Sequence, residues 1–322
     1  KRHYFLMFFI VPFLIKKVGI ENYGKLEYCK SIAYYFNIFI NFGFNFVSTK
    51  KIQKDPENLE NLSLVFFSTF FCKMILILIS IPIFIFLYNE IEFIKNFKNI
   101  FLLFFLVSIF SALNPVFIYQ GTNLMQNLFF FDIFTKIFLI SIIFFFIKNE
   151  SDFFIYPLGY FISDFFRFVF VNIWIYKKKK LKFFVPSKCN IVSSFKESYS
   201  FFFSNISRTI YERLPQIIIG SCTSIQNVGI YTVGTKVIGE INLYIGQFIQ
   251  AYFPFFSKEI SENFIVAKKK TLKIFIIFSF IIFFTCTNIF IYSDNIVSFF
   301  SKKNIVDTSK ILKLASFIPF FV

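Results

Sequence analysis

The chain has 322 residues, 57% of them hydrophobic and 24% aromatic, with a mean hydropathy of +0.67, values that exclude a soluble domain with a wetted surface. Its net charge of +16 comes from thirty Lys and four Arg against 18 acidic residues; beside 59 Phe, the Lys excess reads as A/T codon bias and implies no nucleic-acid partner. Five scattered Cys (Cys29, Cys72, Cys189, Cys222, Cys286) without CxxC spacing indicate neither a disulfide framework nor a metal site, and a single His, His3, leaves proton coupling to carboxylates.

Apolar windows of about 20 residues, the length that crosses a bilayer, fall near 27–47, 62–88, 99–118, 128–147, 153–175, 199–221, 229–253 and 271–292, with partial windows at 1–15 and 305–322. That predicts an all-α polytopic membrane protein of about ten helices, since a membrane barrel would show short strands of period two. Lys1 and Arg2 ahead of a short apolar run imitate a signal peptide, but no small-residue cleavage site follows. Both ends read as cuts through helices, so the expected object is a fragment.

Loops are short apart from 48–61 and 176–198. If 176–198 is cytoplasmic, fourteen loop Lys, among them Lys50, Lys51, Lys177, Lys178, Lys179 and Lys180, share its side, against eight opposite, including Lys16, Lys17, Lys302 and Lys303. The Lys177 to Lys180 run is most simply a topology anchor, with anionic lipid as an alternative contact. Ile20-Glu21-Asn22-Tyr23-Gly24 returns as Ile225-Gln226-Asn227-Val228-Gly229. Two parallel six-helix halves would place such a repeat there. The expected domains are an N-terminal lobe over 1–176, a basic connection over 177–198 and an incomplete C-terminal lobe over 199–322.

Charges inside the windows carry the functional signal, because each costs ~2.5 to 3.5 kcal/mol at mid-bilayer and so faces a cavity, a partner or a substrate. Three of the four Arg, Arg167, Arg208 and Arg213, fall there. Glu27/Lys30 and Asp164/Arg167 are three apart; Asp132/Lys136, Arg208/Glu212 and Lys236/Glu240 are four apart, so each pair shares a helix face. The plain reading of these pairs is self-neutralisation. Lys73 and Arg213 are left over. Arg208 and Arg213 lie about 140° apart around one helix, so one can serve a cavity while the other meets a neighbour. The surplus is positive, and guanidinium binds phosphate bidentately, which points to an anionic cargo such as a diphosphate. Neither GxxxxGK[ST] nor GxGxxG occurs, nor a catalytic triad, so no cofactor is implied and the chain does not read as an enzyme.

Three segments resemble the polysaccharide flippase family, the O-antigen (Wzx/RfbX) type of the MOP exporter superfamily. Val18-Gly19-Ile20-Glu21-Asn22-Tyr23-Gly24, with Asn41-Phe42-Gly43-Phe44-Asn45 and Ser48-Thr49-Lys50-Lys51-Ile52, resembles that family's LGxxxYG and DFGFN...ATREI segments around helix 2. Asn114-Pro115 with Phe117-Ile118-Tyr119-Gln120-Gly121 and Met125 resembles WFFQGxExM. Val228-Gly229-Ile230-Tyr231 through Lys236, then Gln250-Ala251-Tyr252-Phe253-Pro254, resembles VGxYxxAxK...QAxFP. Asn41 and Asn123 stand where that family often has acidic residues.

The resemblance implies a MOP/MATE-like pair of six-helix lobes, truncated here, around a cationic cavity in the bacterial inner membrane. It implies translocation of an undecaprenyl-diphosphate-linked oligosaccharide, an O-antigen or capsule unit, by alternating access, with the polysaccharide polymerase machinery as a further partner. On that reading Arg208, Arg213, Lys236, Arg167 and Lys73 hold the diphosphate, and Glu212, Glu240, Asp132 and Asp164 couple a proton or cation. The alternatives are another exporter of the superfamily, for lipid II or drugs, and a membrane glycosyltransferase or O-antigen polymerase.

Overall fold

The computed structural model describes residues 3–90, 95, 97–262, 264–300 and 304–321. Lys1, Arg2, Lys302 and Lys303 lie outside the described residues. Every regular element among the described residues is helical: α1 (His3–Asn41), α2 (Phe44–Gln53), α3 (Leu59–Glu90), α4 (Lys98–Leu113), α5 (Val116–Gly121), α6 (Met125–Phe146), a 3-10 turn (Glu150–Phe154), α7 (Ile155–Lys179), α8 (Lys188–Cys222), α9 (Ile225–Glu262), α10 (Phe264–Ile291), α11 (Ser293–Phe300), α12 (Ile305–Ala315) and α13 (Ile318–Phe321).

Five of these segments are long and apolar enough to cross a bilayer, among the described residues: Leu59–Glu90, Lys98–Gly121, Met125–Phe146, Glu150–Lys179 and Ala267–Ile291. They match five of the expected windows, and with them the chain is an all-α polytopic membrane protein. The windows at 27–47, 199–221 and 229–253 are also helical, inside α1, α8 and α9, but charges such as Glu27, Lys30, Arg208, Glu212, Arg213, Lys236 and Glu240 interrupt their apolar character.

Several boundaries differ from the sequence expectation, each for a local reason. α1 runs through 16–26, expected as a loop, and is interrupted at Gly19 (φ 81, ψ 161). The 27–47 window contains a turn: Phe42 and Gly43 both take left-handed backbone (φ 44 and 78) between α1 and α2. Glycine is required at position 43, because a Cβ there would meet Phe201 Cβ at 2.6 Å and the Ser198 carbonyl at 2.9 Å. The 99–118 window breaks at Asn114-Pro115, where the missing amide of Pro115 separates α4 from α5. α8 begins at Lys188, inside the expected connection, and Ser187 caps it by accepting from the Asn190 amide at 3.3 Å.

The chain divides into two compact units, Lys1–Gly24 with Gly229–Val322, and Lys25–Val228. In the unit Lys25–Val228, α7 packs against α4 and α6, and α2 against α3, α5 and α8. Its core is largely aromatic: Phe84 stacks on Phe105 at 4.1 Å between centroids, and Phe36 meets Phe105 edge-on at 5.0 Å. A second cluster joins Ile52, Leu62, Ile118, Tyr119, Val171 and Ile175. In the unit Lys1–Gly24 with Gly229–Val322, Ile238, Ile289, Val297, Leu312 and Ala315 form the core. Outward faces of the long helices are apolar, as at Leu78, Phe145, Phe146 and Phe280. Such faces suit lipid as solvent, where helices associate through close packing and internal hydrogen bonds rather than by water exclusion.

Candidate functional site

Seven charged side chains of unit Lys25–Val228 converge from four helices: Glu27, Lys30, Asp132, Lys136, Asp164, Arg167 and Arg213. On α1, Glu27 and Lys30 are one turn apart and paired at 3.0 Å. The Lys30 ammonium lies over two rings of α7, 5.9 Å from the Tyr156 centroid and 5.4 Å from that of Tyr160. Tyr156 donates its hydroxyl to Tyr160 at 3.3 Å. Lys136 of α6 lies over the same Tyr160 ring at 5.2 Å. Tyr160 thus sits between two cations.

Two turns along α7, Arg167 donates Nε to Asp132 Oδ1 of α6 at 2.6 Å. This corrects the sequence pairing, in which Asp132 neutralised Lys136 and Asp164 neutralised Arg167 within single helices. Asp164 still interacts electrostatically with Lys136, Arg167 and Asp132. The close pair is between helices because α6 and α7 pack side by side, so a carboxylate on the facing helix comes nearer than one a turn away on the same surface.

Arg213 reaches the same region from α8. Its guanidinium lies 5.1 Å from the Tyr34 ring centroid on α1 and interacts electrostatically with Lys30. Its Nε is buried without a hydrogen-bond partner among the described residues. An unpaired guanidinium edge in an apolar setting is costly, and it is the donor set that would take an anionic oxygen. Pro215 lies inside α8 here and has no amide to give the Tyr211 carbonyl one turn back. With its side-chain nitrogen turned inward, Gln216 donates to the Arg213 and Glu212 carbonyls at 2.9 and 3.2 Å, which fixes this turn.

The remaining sequence candidates lie elsewhere. Arg208 pairs with Glu212 at 2.7 Å on a protein-exposed face of α8, where Arg208 is 72% exposed. Lys236 and Glu240 pair at 3.5 Å on α9, within the other unit. Lys73 on α3 is 2% exposed. Its ammonium donates to the Ala112 carbonyl at 2.6 Å and to Asn45 Oδ1 at 3.2 Å, which caps the C-terminal end of α4 just where Pro115 breaks the helix. Asn45 continues a ladder at four-residue spacing: Asn45 donates to Asn41 at 3.3 Å, Asn41 to Asn37 at 3.1 Å, and Asn37 to the Ser108 carbonyl at 3.0 Å.

Tyr34, Tyr156, Tyr160 and the Asn37/Asn41/Asn45 ladder were missed as site residues by sequence reasoning. The ladder was readable as a polar stripe at i, i+4 and i+8. The tyrosines carried no signal, since aromatic residues crowd every window. The family-like segments pack on one another: a Cβ at Gly121 would meet Ile52 Cγ2 at 2.5 Å, so the glycine after Gln120 is what lets α5 lie against α2.

A family model described as polysaccharide biosynthesis protein matches residues 3–259. The chain belongs to that family. It is 23% identical over 270 residues to a protein of Escherichia coli (strain K12) named as a candidate O-antigen transporter, covering 81% of this chain and 63% of that protein. It is also 23% identical over 264 residues to a protein of the same name from Shigella dysenteriae, covering 80% of this chain and 64% of the relative. The chain thus spans somewhat under two thirds of these relatives' length. No solved structure matches it. With the long apolar helices, the family marks the chain as a multi-pass protein of the bacterial inner membrane. Its relatives are named for transport, not for catalysis.

Proposed function

We propose that this chain belongs to a flippase that moves an undecaprenyl-diphosphate-linked oligosaccharide across the bacterial inner membrane by alternating access. Residues 1–176 and 199–322 would be its two lobes. The observation that carries the reading is the cationic surplus about Lys30: Lys30, Lys136, Arg167 and Arg213 against Glu27, Asp132 and Asp164, with the Arg213 Nε left unpaired. A diphosphate is the ligand class such a surplus suits, because each guanidinium gives two parallel donors to phosphate oxygens. The tail would stay in lipid and the sugars in the wetter part of the path.

Within this proposal Arg213 and Arg167 contact the diphosphate first, and Arg208 is freed for it when Glu212, four residues on, takes a proton; Lys236, paired with Glu240 in the other unit, would be freed for cargo in the same way. Asp132 and Asp164 would couple translocation in the same way through Arg167. Lys73 supports the path through α4 rather than by touching cargo. The test is Arg213→Ala in the full-length protein, expressed in cells lacking the native gene. Surface glycan should fall at least tenfold while lipid-linked precursor accumulates in the cytoplasmic leaflet. Normal surface glycan at normal protein level removes Arg213 from the path.

A further inference from the structure

Away from the charged cluster, the unit Lys25–Val228 carries a cavity of about 460 Å3 lined by Phe131, Phe170, Ile173, Trp174, Lys177 and Lys178. We propose that this cavity binds an anionic glycerophospholipid, acyl chain against the aromatic wall and headgroup phosphate between the two lysines. Four apolar side chains and two cations make an amphipathic site, and the five of them on α7, all but Phe131 of α6, run in order along the membrane normal. Phe170, Ile173 and Trp174 precede Lys177 and Lys178 at the C-terminal end of the Glu150–Lys179 span. That is the depth at which tryptophan and lysine meet lipid headgroups.

The wall is held in place before any ligand arrives. Trp174 stacks on Tyr119 at 5.6 Å and meets Phe131 edge-on at 6.1 Å, and the Tyr119 hydroxyl donates to the Val171 carbonyl one turn below at 2.8 Å. Phe170 stacks on Phe166 at 5.8 Å. None of the six lining residues is acidic, and Asp132, beside Phe131 in sequence, is held by Arg167. Both lysines are exposed. Charge therefore selects an anionic headgroup over a zwitterionic one, while the aromatic wall selects a lipid over a free phosphate.

Trp174 is the chain's single tryptophan, so its fluorescence reports this cavity. The full chain is reconstituted in phosphatidylcholine vesicles, and a minor fraction of lipid is replaced by phosphatidylglycerol or phosphatidylcholine with dibrominated acyl chains, which quench indole on contact. Two lysines at the headgroup level predict a roughly thirty-fold preference for the phosphatidylglycerol. Lys177→Gln with Lys178→Gln should bring that preference close to unity and leave quenching by brominated phosphatidylcholine unchanged. Lys268→Gln with Lys269→Gln, a basic pair in α10, should keep it. Equal quenching by the two lipids overturns the proposal, as does an equal loss in both double variants, which would mean bulk surface charge. Displacement of brominated phosphatidylglycerol by trace polyprenyl diphosphate also overturns it, by giving the cavity to the transported lipid.

Discussion

Substituting Asp132 and Arg167 singly and together measures the link between α6 and α7. Their contact is short, at 2.6 Å, and the side chains are only 28% and 18% exposed. A fully buried pair broken on one side costs ~3 to 5 kcal/mol. Here partial exposure lowers that figure, and Asp164 remains near Arg167 to offset part of the loss, so Asp132→Ala should cost about 2 kcal/mol. Hydrogen bonds between helices in lipid couple by ~0.6 to 2 kcal/mol, and a charged one belongs at the upper end. The double-mutant cycle should therefore give about 1 to 2 kcal/mol, read from reversible unfolding in mixed detergent micelles. The matching cycle for Asp164 and Arg167 should give ~0.2 to 0.5 kcal/mol, the range of a same-helix pair. A larger coupling for Asp164 than for Asp132, or additive effects of Asp132→Ala and Arg167→Ala, would refute the interhelical arrangement.

Gly43→Ala should destabilise by at least ~2 kcal/mol, since an L-residue in left-handed backbone costs ~1 to 2 kcal/mol before its Cβ meets Phe201 and Ser198; an unchanged unfolding midpoint would count against the turn. Lys73→Ala leaves the Ala112 carbonyl and the Asn45 amide oxygen without their donor and should cost ~2 to 4 kcal/mol. Lys73→Met, which restores volume alone, should recover only part of this in the same unfolding assay. Asp294 lies in the first turn of α11, where hydrogen bonds from Ser309 and Lys313 of α12 hold its carboxyl below the usual carboxylate range. A depressed folded value means the contribution is present above the ordinary value of about 3.9 and is lost as pH falls through the folded one. Asp294→Asn should flatten the acid limb of a stability profile below about pH 4, and an unchanged limb would contradict the contact.

How much was legible in the sequence depended on which signal each feature left. The long apolar helices were, because a continuous run such as 62–88 leaves no other solution in a bilayer. The breaks were not: the 99–118 window was carried across Pro115, and the turn at Phe42 and Gly43, between Asn41 and Asn45, fell inside a window read as one helix. Helix pairing was not legible at all. Sequence spacing finds partners on one helix face, and so it assigned Asp132 to Lys136 and Asp164 to Arg167. The facing surfaces of α6 and α7 instead put Asp132 on Arg167, a long-range fact that no local spacing contains. Lys73 was noticed as an unmatched charge, but its partners are a backbone carbonyl and an asparagine, which no search for opposite charge would find.

The central claim is that positive side chains within the helices are kept for the negative headgroup of a transported lipid. Its most direct measurement is translocation of a fluorescent polyprenyl-diphosphate oligosaccharide by the full-length protein in proteoliposomes, comparing the native residue with Arg213→Lys and Arg213→Ala. Losing a guanidinium's charged hydrogen bonds at ~1.5 to 3 kcal/mol predicts a rate about ten to a hundred times slower for Arg213→Ala, with Arg213→Lys in between. Equal rates for all three, in vesicles carrying equal amounts of folded protein, would contradict the account.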